Sequence, residues 1–144
     1  MKNHVQLLVP VVASFLLTAG AACLQAQITR PIQARVNHSF VIGDKTLPPG
    51  EYTFRIESNT DLGVMTARNH RGDVVAQFDV QQSLENHRPR HSELVFRRYG
   101  NTEFLSKVYE AGTREGVAVT ESGKEERQLV DAGQHAFEHT EEEP

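Results

Sequence analysis

Seven histidines are the side chains in this sequence best suited to chemistry near neutral pH. His87 and His91 are spaced i,i+4, which on a helix aligns two metal ligands. Pro89 breaks that helix, and Arg88 and Arg90 repel a cation, so an exposed polar loop is the better reading. His135 and His139 repeat the spacing beside Glu138. They lack the H-E-x-x-H pattern and fall in the acidic end of the chain, which suits adventitious surface binding. The expectation is therefore no structural or catalytic metal, and no cofactor. His38 sits on the apolar parity of a strand. There a rim or core histidine with a satisfied partner outweighs a pH-responsive one.

No nucleophile is set up for catalysis. The sequence has no G-x-S-x-G elbow, no phosphate-binding loop and no dinucleotide fingerprint. Its serines, histidines and aspartates are not joined into a local triad. Carboxylates are abundant, so their presence carries no information about a glycosidase pair. No catalytic residue is assigned, and the expectation is a protein that is not an enzyme.

Arg88, Arg90, Arg97 and Arg98 form a basic run with Tyr99 alongside. It suits an anionic lipid, a glycan or the protein's own acidic tail. Strand alternation sends Arg97 and Arg98 to opposite faces, which favours solubilising charge over a single patch. A formal charge of −4 excludes a strongly basic nucleic-acid binder as the default. A single cysteine, Cys23, excludes an intrachain disulfide framework.

The elements carrying these groups follow a two-residue period. Ile32, Ala34, Val36, His38, Phe40 and Ile42 share one parity. Tyr52, Phe54 and Ile56 share another row, and Val74, Ala76, Phe78 and Val80 a third. Shorter strands are expected over Val64–Arg68, from Leu94 to Tyr99, and over Phe104–Tyr109. The Asn69–Asp73 stretch and Gly100-Asn101-Thr102 read as hairpin connections, and Gln81–His91 as a loop. Phe40, Phe54, Phe78, Phe96 and Phe104 each fall in a separate run, enough aromatic surface for a core without tryptophan. The fold class is all-β: a small antiparallel β-sandwich or barrel of about six to seven strands, with a short C-terminal helical segment and an acidic tail.

Two segments carry a family resemblance. One is Phe40-Val41-Ile42-Gly43-Asp44-Lys45-Thr46-Leu47-Pro48-Pro49-Gly50-Glu51-Tyr52. The other is Leu94-Val95-Phe96-Arg97-Arg98-Tyr99-Gly100, followed by Phe104-Leu105. Together they resemble a family of small, exported, largely uncharacterised β-rich proteins of environmental bacteria. The resemblance covers roughly Ile32 to Val130 and implies export. It implies no activity, so no site residue comes with it. The proline-glycine piece by itself is explained by turn chemistry at a hairpin entry.

The chain ends differ from this middle. Lys2 precedes an apolar run from Val5 to Leu17, then Thr18-Ala19-Gly20-Ala21-Ala22 and Cys23-Leu24-Gln25-Ala26: the plan of a secretory leader, too short to span a membrane as a helix. Residues 120–144 hold 2 basic and 8 acidic side chains, against 12 and 11 in residues 27–119. Ser122 and Glu125 have capping-box spacing. The domain plan is a signal peptide over 1–26, an all-β domain over 27–119, a short helix over 120–131 with Leu129 and Val130 as its apolar contacts, and a disordered acidic tail over 132–144.

The function expected is an exported, non-enzymatic binding or structural module for a protein or envelope component, acting in the periplasm or outside the cell. The alternative is a carrier of a small apolar ligand. A hydrolase stands third, without a motif behind it. Cleavage after Ala26 makes Gln27 the mature terminus; cleavage before Cys23 makes a lipid anchor. Mass spectrometry of the processed protein should find Gln27 first, and Cys23→Ala should leave that product unchanged. A diacylglyceryl mass on Cys23 would reverse the assignment.

Overall fold

The computed structural model describes Ile28 and residues 30–57, 63–131 and 137–142. The expected leader, with Cys23, and His135 lie outside the described residues. Among the described residues there are ten strands and one helix: β1 (Ile32–Val36), β2 (Phe40–Ile42), β3 (Lys45–Leu47), β4 (Gly50–Ile56), β5 (Val64–Asn69), β6 (Val74–Leu84), β7 (Glu93–Tyr99), β8 (Thr102–Tyr109), β9 (Glu115–Val119), α1 (Gly123–Asp131) and β10 (Phe137–Glu142). The fold is all-β with a short C-terminal helix.

The hydrogen-bonded order is β1-β4-β5-β6-β9-β8-β2-β3, with β7 on β8 and β10 on β7. β7 runs along β8, so β9 and β2 divide the opposite edge of β8 between them. β9 pairs with Lys107–Tyr109, and β2 with Glu103 and Phe104. The β2–β8 pair is parallel, so the sheet is mixed and not purely antiparallel as expected.

The strand count exceeds expectation for local reasons. The alternating row from Ile32 to Ile42 keeps its parity but breaks at Asn37-His38-Ser39, where the chain leaves β4 and joins β8. Lys45–Leu47 pairs back on β2 across Gly43-Asp44. Gly43 has φ +58°, a conformation that costs a side-chain-bearing residue more than glycine. β6 continues through Gln81–Leu84, expected as loop, because β9 supplies a partner there. The tail expected to be disordered contributes β10, which pairs antiparallel with β7 from Phe137↔Arg98 to Glu142↔Glu93. In isolation this acidic segment has little reason to order. The open edge of β7 supplies the hydrogen bonds, and Lys107 of β8 supplies countercharge to Glu138 at 3.6 Å.

β6 belongs to two ladders. Val74–Asp79 bonds to β5, and Val80–Leu84 to β9. One apolar cluster draws on both: Ile32, Val36, Tyr52, Phe54 and Met65 from the β1-β4-β5 side, and Phe40, Leu94, Phe96, Leu105 and Val108 from the other. Phe40 meets Tyr52 edge-on at 5.2 Å and Phe96 at 5.6 Å between centroids. Burial of these rings with the surrounding aliphatic side chains favours folding.

A β-bulge adjusts the second ladder. Phe96 faces Leu105 and Val95 faces Lys107, so Ser106 is the extra residue on β8. It shifts the alternation by one, so Leu105 and Val108 both join the core. Phe104, expected to face that core, instead forms a second small cluster with Val41 and Tyr99. Leu129 of α1 packs on this cluster, while Val130, expected as a contact too, is 72% exposed.

Gly116 faces Tyr109 across β8 and β9. A Cβ there would stand 2.2 Å from Tyr109 Cδ1 and 2.5 Å from the Val108 carbonyl oxygen. The buried Tyr109 ring therefore needs glycine opposite it; its hydroxyl lies 3.0 Å from Ser83 Oγ. Gly116→Ala should lower stability by about 1–3 kcal/mol in chemical denaturation. Adding Tyr109→Ala should cost less on that background than in the native protein, since it also removes the ring that the new Cβ strikes.

Candidate functional site

His87 and His91 do not share a helix, and His135 lies outside the described residues. His87 is exposed in the β6–β7 loop, 3.9 Å from Glu85 and 4.0 Å from Glu93. His91 is exposed as well, with the intervening Pro89 buried and accepting a hydrogen bond from Gly112 N–H. A different set converges. His38 sits in the crossing between β1 and β2, His139 and Glu141 on β10, and Glu103 on β8.

The route to this convergence is simple. His139 and Glu141 are two residues apart on a strand and thus share a face. His139 is the cross-strand partner of Phe96, which carries it to the rim of the core, and Glu103 is the partner of Phe40. The His139 ring stacks on Phe96 at 5.5 Å with planes 20° apart; the His38 ring meets Phe96 edge-on at 5.0 Å. His38 Nδ1 lies 3.2 Å from Glu141 Oε1, and His139 Nδ1 lies 3.4 Å from Glu103 Oε2. Donor atoms of His38, His139 and Glu141 all fall within 4.8 Å of one another.

His38 was expected to be a satisfied rim histidine. It is at the rim, but its Nε2 is closed off from solvent without a hydrogen-bond partner, as are Glu103 Oε2 and Glu141 Oε2. Sequence spacing could not reveal this set, because His38 and His139 are brought together by strand pairing over a hundred residues of chain. The one local signal was the His139-Thr140-Glu141 alternation.

A second polar cluster lies under α1. Ser122 caps the helix: its Oγ accepts the Glu125 N–H at 3.2 Å. The Glu125 side chain does not close a capping box. It turns inward, with Oε1 3.4 Å from Arg97 Nε and accepting a bond of 3.4 Å from the Tyr99 hydroxyl. Arg97 also donates to Glu121 and, at 3.0 Å, to the bulge hydroxyl of Ser106. Burial pushes the Glu125 carboxyl above the usual range, and the Arg97 charge opposes that push. Burial works against the Arg97 charge, yet the Glu121 hydrogen bond and the Glu125 charge hold the guanidinium above its ordinary value. Burial likewise raises Glu93 and the hydroxyls of Tyr52 and Tyr99.

The arginine run is thereby divided. Arg97 is committed to α1, Arg98 is exposed beside Phe137 of β10 in register, and Arg88 and Arg90 are exposed in the loop. Lys107 reaches Glu138 of β10 at 3.6 Å.

An open groove of about 530 Å³ crosses β1, β4 and β5 on their solvent face. It is lined by Gln33, Arg35, Glu51, Thr53, Arg68 and His70, among others. Arg35 faces Glu51 and Thr53 faces Arg68 in register. No helix among the described residues is long and apolar enough to cross a membrane. Compared with family models, curated proteins and solved structures, the chain matches none.

Arg97→Met should cost about 3 kcal/mol at neutral pH by leaving Glu125 buried without its cation. Without that charge the folded-state pKa of Glu125 rises further above its unfolded value. The folded state then takes up a proton that the unfolded state does not, and stability increases as pH falls through the raised value. Denaturant melts at pH 7.5 and pH 5 should show the variant's deficit shrinking at the lower pH; a constant deficit would rule out Glu125 as its source.

Proposed function

We propose that this chain is an exported, non-enzymatic binding module that holds a polar partner of the cell envelope on the groove across β1, β4 and β5. The observation that carries this reading is the groove itself, where guanidinium, carboxylate, amide and hydroxyl groups alternate on a rigid sheet face. Such a surface offers directional hydrogen bonds and charge to a polar chain, with little ordering cost on the protein side.

The finer architecture in this reading is a sandwich-like pair of ladders around one core, with β6 and the β1–β2 run shared at the corners. Phe40, Phe54, Met65 and Phe96, all fully buried, fill the core, which favours an outer surface over an internal pocket for an apolar ligand. The leader and the resemblance to exported bacterial proteins point to the periplasm or the outside of the cell.

The test is a photo-crosslinker placed at Gln33 in the protein exported with its own leader. One discrete adduct is expected in intact envelopes, lost in Thr53→Arg, which fills the groove, and absent when the crosslinker sits at Glu126 on α1. An adduct of equal yield from Glu126, or one indifferent to Thr53→Arg, would remove the groove from the function.

A further inference from the structure

We propose that His38, His139 and Glu141 bind one divalent first-row cation of the zinc type, with Glu103 orienting His139. This site is separate from the groove and does not rest on it.

The chemistry of the donor set comes first. Two imidazole nitrogens and a carboxylate oxygen are ligands that zinc accepts, with a fourth position left for water. Sulfur-seeking ions find no thiolate among them, and calcium or magnesium would require more oxygen. The spacing is near what such an ion needs. Bonds of about 2.0–2.1 Å to a tetrahedral centre place ligand atoms about 3.3 Å apart. His38 Nδ1 and Glu141 Oε1 already stand at 3.2 Å. The donor atoms of all three residues lie within 4.8 Å of one another, so the remaining closure is at most roughly 1.5 Å.

The second observation is independent of spacing. His38 Nε2, Glu141 Oε2 and Glu103 Oε2 are shut away from solvent with no hydrogen-bonding partner. Three such atoms in one place are costly, because each has left water without compensation. Charge adds to the case. Glu103 and Glu141 bring two carboxylates to the rim of an aromatic core, and among the described residues neither is within ion-pair distance of a lysine or arginine. A divalent cation would balance that charge, and coordination through His38 Nε2 or Glu141 Oε2 would also give an unpartnered atom its partner. Glu103, 3.4 Å from His139 Nδ1, occupies the position of the carboxylate that fixes the tautomer of a ligating imidazole.

The ion would tie the β1–β2 crossing to the last strand of the fold. Zinc binding to the purified processed protein, measured by competition with a chromophoric chelator, should show one ion per chain and raise the melting temperature. Cobalt in its place should give the visible absorption of a tetrahedral site. His38→Gln and Glu141→Gln should each weaken binding by more than about 100-fold, and Glu103→Gln by about 10-fold. A triple substitution of His87, His91 and His135 to Asn should leave the affinity unchanged. Circular dichroism checks that each variant folds; should His38→Gln unfold, Glu141→Gln on the edge strand carries the comparison. Failure of zinc to bind would overturn the proposal. So would binding that survives both ligand substitutions or disappears with the triple substitution. Crosslinking from the groove is read separately, so neither result decides the other.

Discussion

Everything in this molecule depends on two stretches of chain that serve both ladders at once. A sheet must cover its apolar face, and here one core is shared by two ladders of one continuous sheet path. β6 leaves β5 at Asp79 and takes up β9 at Val80; the row from Ile32 to Ile42 leaves β4 at Val36 and takes up β8 at Phe40. At both corners the two-residue period continues unbroken, so the residues that face inward before the corner face inward after it. The core formed by Phe40, Phe54 and Phe96 exists because that phase is kept. Where phase must change, the Ser106 bulge changes it, and its hydroxyl then receives Arg97.

This is also why the sequence was legible in part. Alternation is a local property, and it marked the apolar faces of β1 and β4, that of β6 from Ala76 onward, and the β5–β6 and β7–β8 hairpins directly; Val74 is exposed and Val75 packs on the core because the β5–β6 register shifts between Ala67 and Arg68. It could not mark a corner, because nothing in Ile32–Ile42 loses its rhythm there. It also could not anticipate Phe104, whose face is decided by a bulge two residues on. β9 and β10 were missed for a different reason. Gly116 gives β9 a gap in its pattern that only the Tyr109 ring explains, and the glutamates of β10 acquire a reason to order only when β7 is already in place.

The candidate sites follow the same division. Helical spacing drew attention to His87 with His91 and to His135 with His139, but His87 and His91 lie in a loop and the backbone at His139 is extended. On a strand the relevant interval is two, and the relevant neighbours are cross-strand. His139 therefore answers to Phe96, Glu103 and His38, none of them near it in sequence. Arg97 shows the converse: alternation correctly separated it from Arg98, yet its partners came from a helix whose own signal was only a cap at Ser122.

The position of β10 after every other described strand has a consequence for biosynthesis. β7 keeps one edge unbonded until Phe137–Glu142 have emerged, so until then the nascent protein exposes the backbone of Glu93–Arg98. A product truncated before Phe137 would retain nearly the whole core yet present that naked edge permanently. Other chains add to such edges readily, and premature termination would therefore favour aggregation over simple loss of stability.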